Sequence, residues 1–404
     1  MSKRECVGVI GGGQLAWMMA IAAQKIGLQI AIQASHPDEP AVNFANSVVF
    51  GSITDVDATT QLTQMCQVIT FENEFVDLEG LGQLERQYSL EHSNQSLFLP
   101  KLATLEICVD KLKQRQFFQS HQIPTPSFYG VNCEIELINA ATNLGYPLVL
   151  KTRRHGYDGK GTWVVNDEIE LRNAWQGMQQ AAAIAEAFIP FETELAVMAV
   201  RSEQGETAIY PVVETLQIGQ VCRRTIAPAR ISPDLADRIV GIAEKILTSL
   251  NVVGVIGIEF FMTEQGEVSV NEIAPRTHNS GHYTIEGCHT SQFEQIMRVV
   301  SGMPLGDVAM VAPVAVMVNL LGTKDAVDLA AMYADERAAI ACFPNTFVHW
   351  YNKKKSSVGR KLGHVTILAE TYDRALEISD RITSIWYGSG QNADLESISN
   401  KRFS

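Results

Sequence analysis

The chain has 404 residues, of which 46% are hydrophobic, and a formal net charge of −13. This length favours two or three domains over a single core, and the negative charge argues against a general nucleic-acid surface. The N-terminus shows no secretory signal, the longest apolar stretch (308–321) is too short to span a membrane, and the 7 cysteines are scattered without a C-x-x-C pair. We therefore expect a cytoplasmic protein with reduced thiols and with neither a membrane nor a nucleic-acid partner.

The N-terminal segment predicts the opening of a parallel α/β sheet. A strand over 6–10, a glycine turn at 11–15, a helix to about Ile26 and a strand over 28–34 form a β-turn-α-β unit, and strands over 48–50 and 68–71 are expected at the sheet's edge. The turn fits G-x-G-x-x-A, which favours an anion site only slightly over a tight turn without a ligand. The acid that would bind a dinucleotide ribose is missing at Ala34-Ser35-His36.

The next segment predicts a basic flap between two strands. A helix over 103–121 leads to a strand at 147–151, which ends in Lys151, and a return strand follows at 162–165. The loop between them, 153–161, contains three glycines and the basic residues Arg153, Arg154 and Lys160. Such a loop can close over a polyphosphate, although it lacks the spacing of a Walker A loop. A mobile surface hairpin is the alternative, which the position of Lys151 at the end of an apolar strand disfavours.

Two further segments, 181–189 and 194–200, are predicted to pair as strands around Pro190. Backbone groups of 186–189 could read the edge of an adenine, and Glu194 could accept hydrogen bonds from ribose hydroxyls. By themselves these segments are equally compatible with an ordinary strand pair. A helix capped by Ser232 and running to about Leu250 follows.

A β-hairpin over 255–273 carries the most informative pair of residues. A turn centred between Gln265 and Gly266 places Glu259 directly opposite Glu272. Cross-strand partners have Cβ atoms about 4.5–5.5 Å apart, so the two carboxylates repel each other unless a cation lies between them. Few oxygen ligands shared with phosphates suit Mg²⁺. The alternative is an exposed hairpin with two solvated acids, which the apolar surroundings of Glu259 disfavour.

Two polar clusters follow the hairpin. The first, Asn271-Glu-Ile-Ala-Pro-Arg-Thr-His-Asn-Ser-Gly-His282, begins at the proposed metal ligand and leaves the strand, so its side chains are expected in the same cleft. Its arginine suits phosphate or carboxylate recognition. The second is the basic run over 349–361, which is either a solvated surface or a second anion clamp supplied by the last unit.

Together these residues resemble the ATP-grasp superfamily and, within it, the 5-(carboxyamino)imidazole ribonucleotide synthase family of purine biosynthesis. The segments that carry the resemblance span nearly the whole chain: Gly11-Gly-Gly-Gln-Leu15, Thr70-Phe-Glu-Asn-Glu74, Gly156-Tyr-Asp-Gly-Lys-Gly161, the 271–282 cluster, and Gly359-Arg-Lys-Leu-Gly-His364. The APR-x-HNSGH string is specific, whereas the glycine turn is not.

The resemblance implies an α/β fold, α+β in its ATP-grasp part. A Rossmann-like N-terminal domain (1–102) would precede an ATP-grasp domain (103–305), itself divided into a lid part with the glycine flap (103–190) and a metal-binding part (191–305). A small mixed C-terminal domain (306–404) would complete the substrate site. The resemblance also implies a homodimer whose substrates are ATP, bicarbonate and aminoimidazole ribonucleotide.

Site residues follow from the resemblance position by position. Catalytic roles fall to Lys151, Arg276, Glu259 and Glu272, and the two glutamates would bind Mg²⁺, with Mn²⁺ as the alternative. ATP would be bound by Lys111, Lys151, Gly156, Tyr157, Asp158, Gly159, Lys160, Gly161, Thr162, Glu186, Ala187, Phe188, Ile189, Glu194, Gln217, Asn271 and Glu272. The ribonucleotide would be bound by Glu74, Tyr157, Lys160, Arg276, His278, Asn279, Lys353 and Arg360.

Some positions depart from the family pattern and leave alternatives open. Glu72 is the alternative to Glu74, and Lys354 or Lys355 is the alternative to Lys353. His155, Thr162, Gln217 and Ser356-Ser357 replace residues that are common in the family. The function implied is ATP-dependent carboxylation of the ribonucleotide. A formate-dependent transformylase, an NAD-dependent oxidoreductase and a non-catalytic ATP-binding regulator are the alternatives.

Overall fold

The computed structural model describes residues 4–91, 96–154, 156, 161–326 and 332–388. Its N-terminal part is a parallel sheet with strand order β3-β2-β1-β4, which confirms the predicted parallel opening. The strands are β1 (Cys6–Ile10), β2 (Gln29–Ala34), β3 (Ser47–Phe50) and β4 (Val68–Phe71), and the helices are α1 (Gln14–Lys25), α2 (Val56–Thr63) and α3 (Leu78–Glu91).

The lid is a small antiparallel sheet with strand order β5-β8-β6-β7. Its apolar face packs against α6 and α7 through a core that includes Leu137, Leu150 and Trp175. The elements here are α4 (Leu102–Cys108), α5 (Lys111–Ser120), β5 (Phe128–Val131), α6 (Glu134–Leu144), β6 (Leu148–Thr152), β7 (Thr162–Val165), α7 (Glu168–Gly177) and β8 (Ala183–Ala187).

The largest sheet has the strand order β14-β13-β9-β11-β12-β15-β17-β16, with β10 paired to β9. Its strands are β9 (Phe191–Arg201), β10 (Thr207–Ile209), β11 (Val213–Ile218), β12 (Val221–Ala227), β13 (Gly254–Thr263), β14 (Val268–Ala274), β15 (Val314–Leu321), β16 (Thr346–Trp350) and β17 (Lys361–Ala369). Its helices are α8 (Pro233–Ser249), α9 (Thr284–Gly287), α10 (Gln292–Ser301), α11 (Ala334–Ala341) and α12 (Tyr372–Tyr387), and a 3₁₀ turn covers Asn279–Gly281.

This sheet is continuous from the hairpin of β13 and β14 to the C-terminal unit, because β12 pairs with β15. The N-terminal part is joined to it by a shared core in which α1 packs on α10. Within the described ranges, no helix combines the length and apolarity that a bilayer span requires.

The predicted single helix over 103–121 is wrong. The chain forms α4 and α5 as separate helices, and Asp110 between them caps α5 by accepting hydrogen bonds from the backbone N–H groups of Leu112 and Lys113. An aspartate at this position favours a new helix start over continuation of the previous helix.

The predicted pairing of the strands around Pro190 is also wrong. β8 lies between β5 and β6 in the lid, whereas β9 pairs with β11 and β13 in the large sheet. Residues 188–190 therefore carry the chain from one sheet to the other, along one side of the cleft.

The hairpin of β13 and β14 confirms the pairing of Glu259 with Glu272. Closer to the turn the register differs from the prediction by one residue, since Phe261 pairs with Ser269 rather than with Val270. The difference arises because Phe260 pairs with Val270, which leaves Asn271 as the additional residue of a β-bulge.

Candidate active site

A cavity of about 1500 Å³ lies between the lid, the large sheet and the N-terminal sheet. The predicted site residues that line it come from all parts of the chain: Glu74, Lys111, Lys151, Gly156, Thr162, Glu186, Ala187, Phe188, Ile189, Glu194, Gln217, Glu259, Asn271, Glu272, Arg276, His278, Asn279, Lys353 and Arg360. Gly161 lies beside this lining, at the start of β7, where its carbonyl accepts a hydrogen bond from Thr152. Tyr157, Asp158, Gly159 and Lys160 of the flap, and His155, lie outside the described residues.

The bulge at Asn271 brings an amide between the two acids and the lid. Its Nδ2 donates to Glu259 Oε2 at 3.3 Å, and its Oδ1 accepts from Lys151 Nζ at 3.2 Å. A regular hairpin would alternate Asn271 and Glu272 between the two faces of the sheet. The bulge therefore allows both side chains to serve the same cleft.

The two carboxylates have opposite charge preferences. Burial, together with the charges of Glu272 and Glu194, raises the pKa of Glu259 to about 8. Burial also opposes ionisation of Glu272, but Lys111, whose Nζ lies 2.5 Å from Glu272 Oε2, lowers the pKa of Glu272 to about 2. A cation between the two acids would favour the charged form of Glu259 and so oppose the burial and the repulsion that raise its pKa.

The donor set at this hairpin suits a hard divalent cation that shares its ligands with a phosphate. Two carboxylates and an amide oxygen stand together, and a group of three or more His, Cys, Asp or Glu side chains able to hold a metal is not found in the part of the chain that the structure describes. Mg²⁺ is commonly bound by one or two carboxylates with substrate phosphates and water. The residues therefore fit Mg²⁺ shared with a nucleotide better than a metal enclosed by protein ligands.

Lys151 is held in a buried ion cluster that the sequence does not predict. Glu186 accepts from Arg115 Nε at 2.7 Å and lies 2.8 Å from Lys151 Nζ, and the side chains of Glu186 and Arg115 are each 2% exposed. Burial opposes the charge on Glu186, but Arg115 and Lys151 outweigh it and lower the pKa of Glu186 to about 2. Arg115 belongs to no sequence motif, so its role as a partner of Glu186 is visible only in the packing of α5 against β8.

Asp110 connects the start of α5 to the base of the flap. It accepts hydrogen bonds from Arg153 Nε at 3.0 Å and Nη2 at 2.6 Å, and it lies 3.5 Å from Arg154 Nε. Lys111, the next residue, donates its backbone N–H to Arg153 O at 2.9 Å. The same helix start therefore positions Lys111 and anchors the strand end that leads into the flap.

On the opposite side of the cavity, Arg276 forms a two-pronged ion pair with Glu74, with Nε–Oε2 and Nη2–Oε1 distances of 2.5 and 3.3 Å. His278 Nε2 lies 3.5 Å from Glu259 Oε1. Burial, reinforced by the charge of Arg276, lowers the pKa of His278 to about 4. His278 is therefore neutral near pH 7.

Glu72 has a different role from Glu74. Its carboxylate accepts the backbone N–H groups of Gly13 at 2.5 Å and Leu15 at 3.0 Å, at the start of α1. A side chain of the protein itself thus occupies the predicted glycine turn. Glu74 pairs with Arg276, but Glu72 and Glu74 both line the cavity, so the choice between them for the ribonucleotide stays a prediction.

Gln292 is a further residue that sequence reasoning missed. Its Oε1 accepts the backbone N–H of His278 at 2.9 Å, and its Nε2 donates to His278 O at 2.8 Å and to His282 Nδ1 at 3.1 Å. Because a backbone N–H only donates and a C=O only accepts, these contacts determine the orientation of the amide. Gln292 therefore holds the loop that presents His278, and its signal in the sequence is only that of a polar residue in an amphipathic helix.

Asn279 is held by the C-terminal unit. It exchanges two amide hydrogen bonds with the buried Asn319 of β15, at 3.0 and 2.7 Å. In the basic run, Lys353 Nζ donates to Lys361 O at 2.8 Å, and Lys354 lies 3.4 Å from Asp38. All three lysines, Lys353 to Lys355, line the cavity, so the choice among them stays a prediction.

Family models match three successive segments of the chain. The ribonucleotide synthetase preATP-grasp domain matches residues 4–99, the ATP-grasp domain matches residues 116–293, and the phosphoribosylaminoimidazole carboxylase C-terminal domain matches residues 315–378. The order of these models follows the order of the N-terminal sheet, the lid with strands β9 to β14, and the C-terminal unit. They confirm the fold class that was expected from the sequence.

Whole-chain relatives decide the family. The N5-carboxyaminoimidazole ribonucleotide synthase of Synechococcus elongatus is 45% identical over 393 residues, covering 96% of each chain. The chain belongs to the N5-carboxyaminoimidazole ribonucleotide synthase family. A member from Bacillus subtilis is 34% identical and covers 94% of this chain and 95% of its own.

Solved structures of the N5-carboxyaminoimidazole ribonucleotide synthase family share this architecture. The enzyme from Thermotoga maritima matches with a TM-score of 0.82 and 36% identity, over 94% of this chain and 98% of its own. The enzyme from Aspergillus clavatus, in complex with ADP and 5-aminoimidazole ribonucleotide, matches with a TM-score of 0.87 and 29% identity, over 96% and 100%.

Proposed function

We propose that this cleft catalyses ATP-dependent carboxylation of 5-aminoimidazole ribonucleotide with bicarbonate, which yields 5-carboxyaminoimidazole ribonucleotide, ADP and phosphate in de novo purine biosynthesis. The chain is an ATP-dependent ligase of its family. The observation that carries the site assignment is the Glu259–Glu272 pair, which faces Lys151 on one side and the Arg276–Glu74 pair on the other within one cavity.

ATP is assigned to the side of the cavity between the lid and the large sheet. Lys111 and Lys151 supply positive charge for its phosphates, and the flap base held by Asp110 lies beside them. Residues 186–189, at the end of β8 and the start of the crossing to the large sheet, offer backbone groups to the adenine. Glu194 and Gln217 line the same cavity.

Glu259 and Glu272 are assigned as the residues that would hold Mg²⁺, with Mn²⁺ as the alternative. When bound there, such a cation would offset the negative charge that develops on the phosphates during transfer. The protein's own contribution is to hold both carboxylates and Asn271 on one face, which the bulge in β14 achieves.

Carboxylation is assigned to two successive transfers. Bicarbonate oxygen attacks the γ-phosphorus of ATP, which releases ADP and forms carboxyphosphate. Carboxyphosphate then breaks down to carbon dioxide and phosphate, and the exocyclic amine of the ribonucleotide attacks the carbon. Arg276 steadies the anion, and the enclosing lid excludes water from the reactive intermediate.

The amine must lose one proton during this step. His278 and the released phosphate are the two candidate acceptors. Because the pKa of His278 is lowered to about 4, phosphate is the stronger base near pH 7. We therefore assign the proton to phosphate and a positioning role to His278.

The ribonucleotide is assigned to the space between Glu74, Arg276, Asn279, Lys353 and Arg360, all of which line the cavity. We also propose that the protein is a homodimer, on the basis of the family resemblance. The free cysteines support a location in the cytoplasm.

The decisive experiment measures ADP release with the ribonucleotide present, in buffer stripped of bicarbonate and after bicarbonate or formate is added. We expect bicarbonate to restore turnover and to give a product heavier than the ribonucleotide by one carbon dioxide. Turnover that responds to formate instead, with a formylated product, would identify a transformylase. ADP release without any change in the ribonucleotide would contradict both assignments.

A further inference from the structure

Two cysteine thiols lie side by side at the edge of the N-terminal sheet that is remote from the cleft. Cys6 is the first residue of β1, and Cys66 lies two residues before β4. The strands are parallel neighbours, with Val7 paired to Val68, and the two Sγ atoms are 2.8 Å apart.

The two sulfurs are already close to the separation of a disulfide. A disulfide has an S–S bond of about 2.05 Å, so the sulfurs need to approach by less than about 1 Å. Cys6 belongs to β1, and Cys66 lies shortly before β4, whose register with β1 is set by Val7 and Val68. The bond therefore needs only a small further approach of the two sulfurs.

The two thiols differ in access and acidity. Cys6 is half-buried, whereas Cys66 is buried. The hydrogen bond from Cys66 lowers the pKa of Cys6, whereas the same contact and burial raise the pKa of Cys66. Since the thiolate is the nucleophile in exchange, Cys6 is the attacking sulfur and Cys66 the resolving one.

We propose that Cys6 and Cys66 are a redox modification site. The two residues form a reversible intramolecular disulfide with each other when a small disulfide, such as oxidised glutathione, oxidises them. The Cys6 thiolate attacks one sulfur of the oxidant and expels one glutathione thiolate. Cys66 then loses its proton to solvent, attacks the Cys6 sulfur and expels the second glutathione. Two protein thiols are oxidised and one glutathione disulfide is reduced to two thiols.

The disulfide is expected to stabilise the N-terminal sheet without altering the cleft. It closes the chain between residues 6 and 66, which reduces the freedom of the unfolded chain. The glycine turn and Glu72 lie at the opposite, carboxyl ends of β1 and β4. We therefore expect a higher melting temperature and unchanged kinetic constants.

The test equilibrates the full chain in glutathione buffers of increasing oxidising ratio, followed by alkylation and mass spectrometry. Trypsin should separate Cys6 and Cys66 into the peptides 5–25 and 26–86, because no lysine or arginine lies between Lys25 and Arg86. We expect these peptides to become disulfide-linked, with a rise in Tm of roughly 5 °C. Dithiothreitol should reverse both changes.

The variants Cys6→Ser and Cys66→Ala each remove one thiol of the pair. Cys133→Ser, at an exposed cysteine, is the matched control. The first two variants should show no oxidation-dependent Tm shift, whereas the control should behave as the unmodified chain. The proposal fails if both thiols of the unmodified chain stay alkylatable in the most oxidising buffer. It also fails if only glutathione adducts or links between chains form, or if a Cys6→Ser chain retains the Tm shift.

Discussion

Glu272 pairs with Lys111 and faces Glu259 across the hairpin, and its role can be tested by an isosteric change. Glu272→Gln keeps the size of the side chain but removes the charge that would share a cation with ATP phosphates. We expect ADP formation to fall by about 100-fold or more, while the melting temperature stays close to that of the unmodified chain. Steady-state kinetics at saturating magnesium measure the effect.

Glu267→Gln, on the exposed turn of the same hairpin, is the matched control for this change. It should leave turnover unaltered. Near-normal turnover in the Glu272 variant would show that the hairpin is not part of the catalytic site.

The ion cluster around Glu186 leads to a prediction about stability and its dependence on pH. Glu186→Gln leaves Arg115 and Lys151 buried without their counter-charge, which should cost about 3–5 kcal/mol near pH 7. The pKa of Glu186 is lowered from about 4.5 to about 2 by folding, so its stabilisation is complete above pH 4.5 and is lost as the pH falls toward 2. The difference between the two chains should therefore shrink across that interval.

Urea unfolding at pH 7 and pH 3 measures this difference. Glu264→Gln, at an exposed position, should show little difference at either pH. A Glu186→Gln cost that is the same at both pH values would show that the ion cluster is not its source.

Gln292 permits a test of positioning because the same helix carries its counterpart. Gln292→Glu turns an amide donor into a carboxylate oxygen that faces His278 O. We expect kcat to fall about 10- to 100-fold and the ribonucleotide KM to rise, with little change in the KM for ATP. Full kinetics with each substrate varied will separate these effects.

Gln295 clamps the backbone of Gly306 in the same two-way manner, at 2.7 and 2.9 Å, but away from the cavity lining. Gln295→Glu should cost comparable stability and leave both KM values unchanged. If the two variants show the same kinetic losses, Gln292 acts only through folding.

At the scale of elements, Asp110 between α4 and α5 has two functions. It caps α5, and its charge holds Arg153 at the base of the flap. Asp110→Asn retains a good helix cap but loses the charge that holds Arg153. We expect a stability loss of about 1.5–3 kcal/mol and a higher KM for ATP, because the flap base loses its anchor. Denaturation and ATP kinetics measure the two effects.

Asp167→Asn, at the exposed cap of α7, is the control and should alter neither quantity appreciably. An unchanged KM for ATP in the Asp110 variant would argue against a role for α5 in holding the flap.

Local patterns explain which elements could be predicted. The hairpin of β13 and β14 follows from strand alternation and a glycine turn, both of which are encoded nearby in sequence. The pairing of Glu259 with Glu272 also requires the bulge at Asn271, because the register next to the turn would pair Glu259 with Asn271. The separation of β8 from β9 depends on which distant strands pair, and the same local residues are compatible with either arrangement. Arg115 and Gln292 were missed because their roles arise only from packing between elements distant in sequence.

At the scale of the whole molecule, the C-terminal unit extends the sheet that carries the active site. β15 is buried along its length, and its pairing with β12 leaves no exposed edge between them. A chain ending at residue 312 would expose the edge of β12 and the apolar cluster that includes Ile226. We expect that chain to aggregate, and its soluble fraction after expression measures this.

Co-expression of the segment 313–404 supplies the control, since it should restore solubility by replacing β15 and β17. A soluble 1–312 chain that unfolds cooperatively would show that the two units are independent.

The contact between Lys111 and Glu272 implies that the binding of the metal ion and the binding of the nucleotide are coupled. A metal ion arriving alone must displace the ammonium group from its carboxylate, and a triphosphate arriving alone must draw the ammonium group away from the same partner. With both ligands present, Lys111 would pair with the phosphates and Glu272 with the cation, so that neither side chain would lose its counter-charge. Metal and nucleotide should therefore bind synergistically, each tightening the other, and this interdependence should weaken when Lys111 is replaced by a neutral residue.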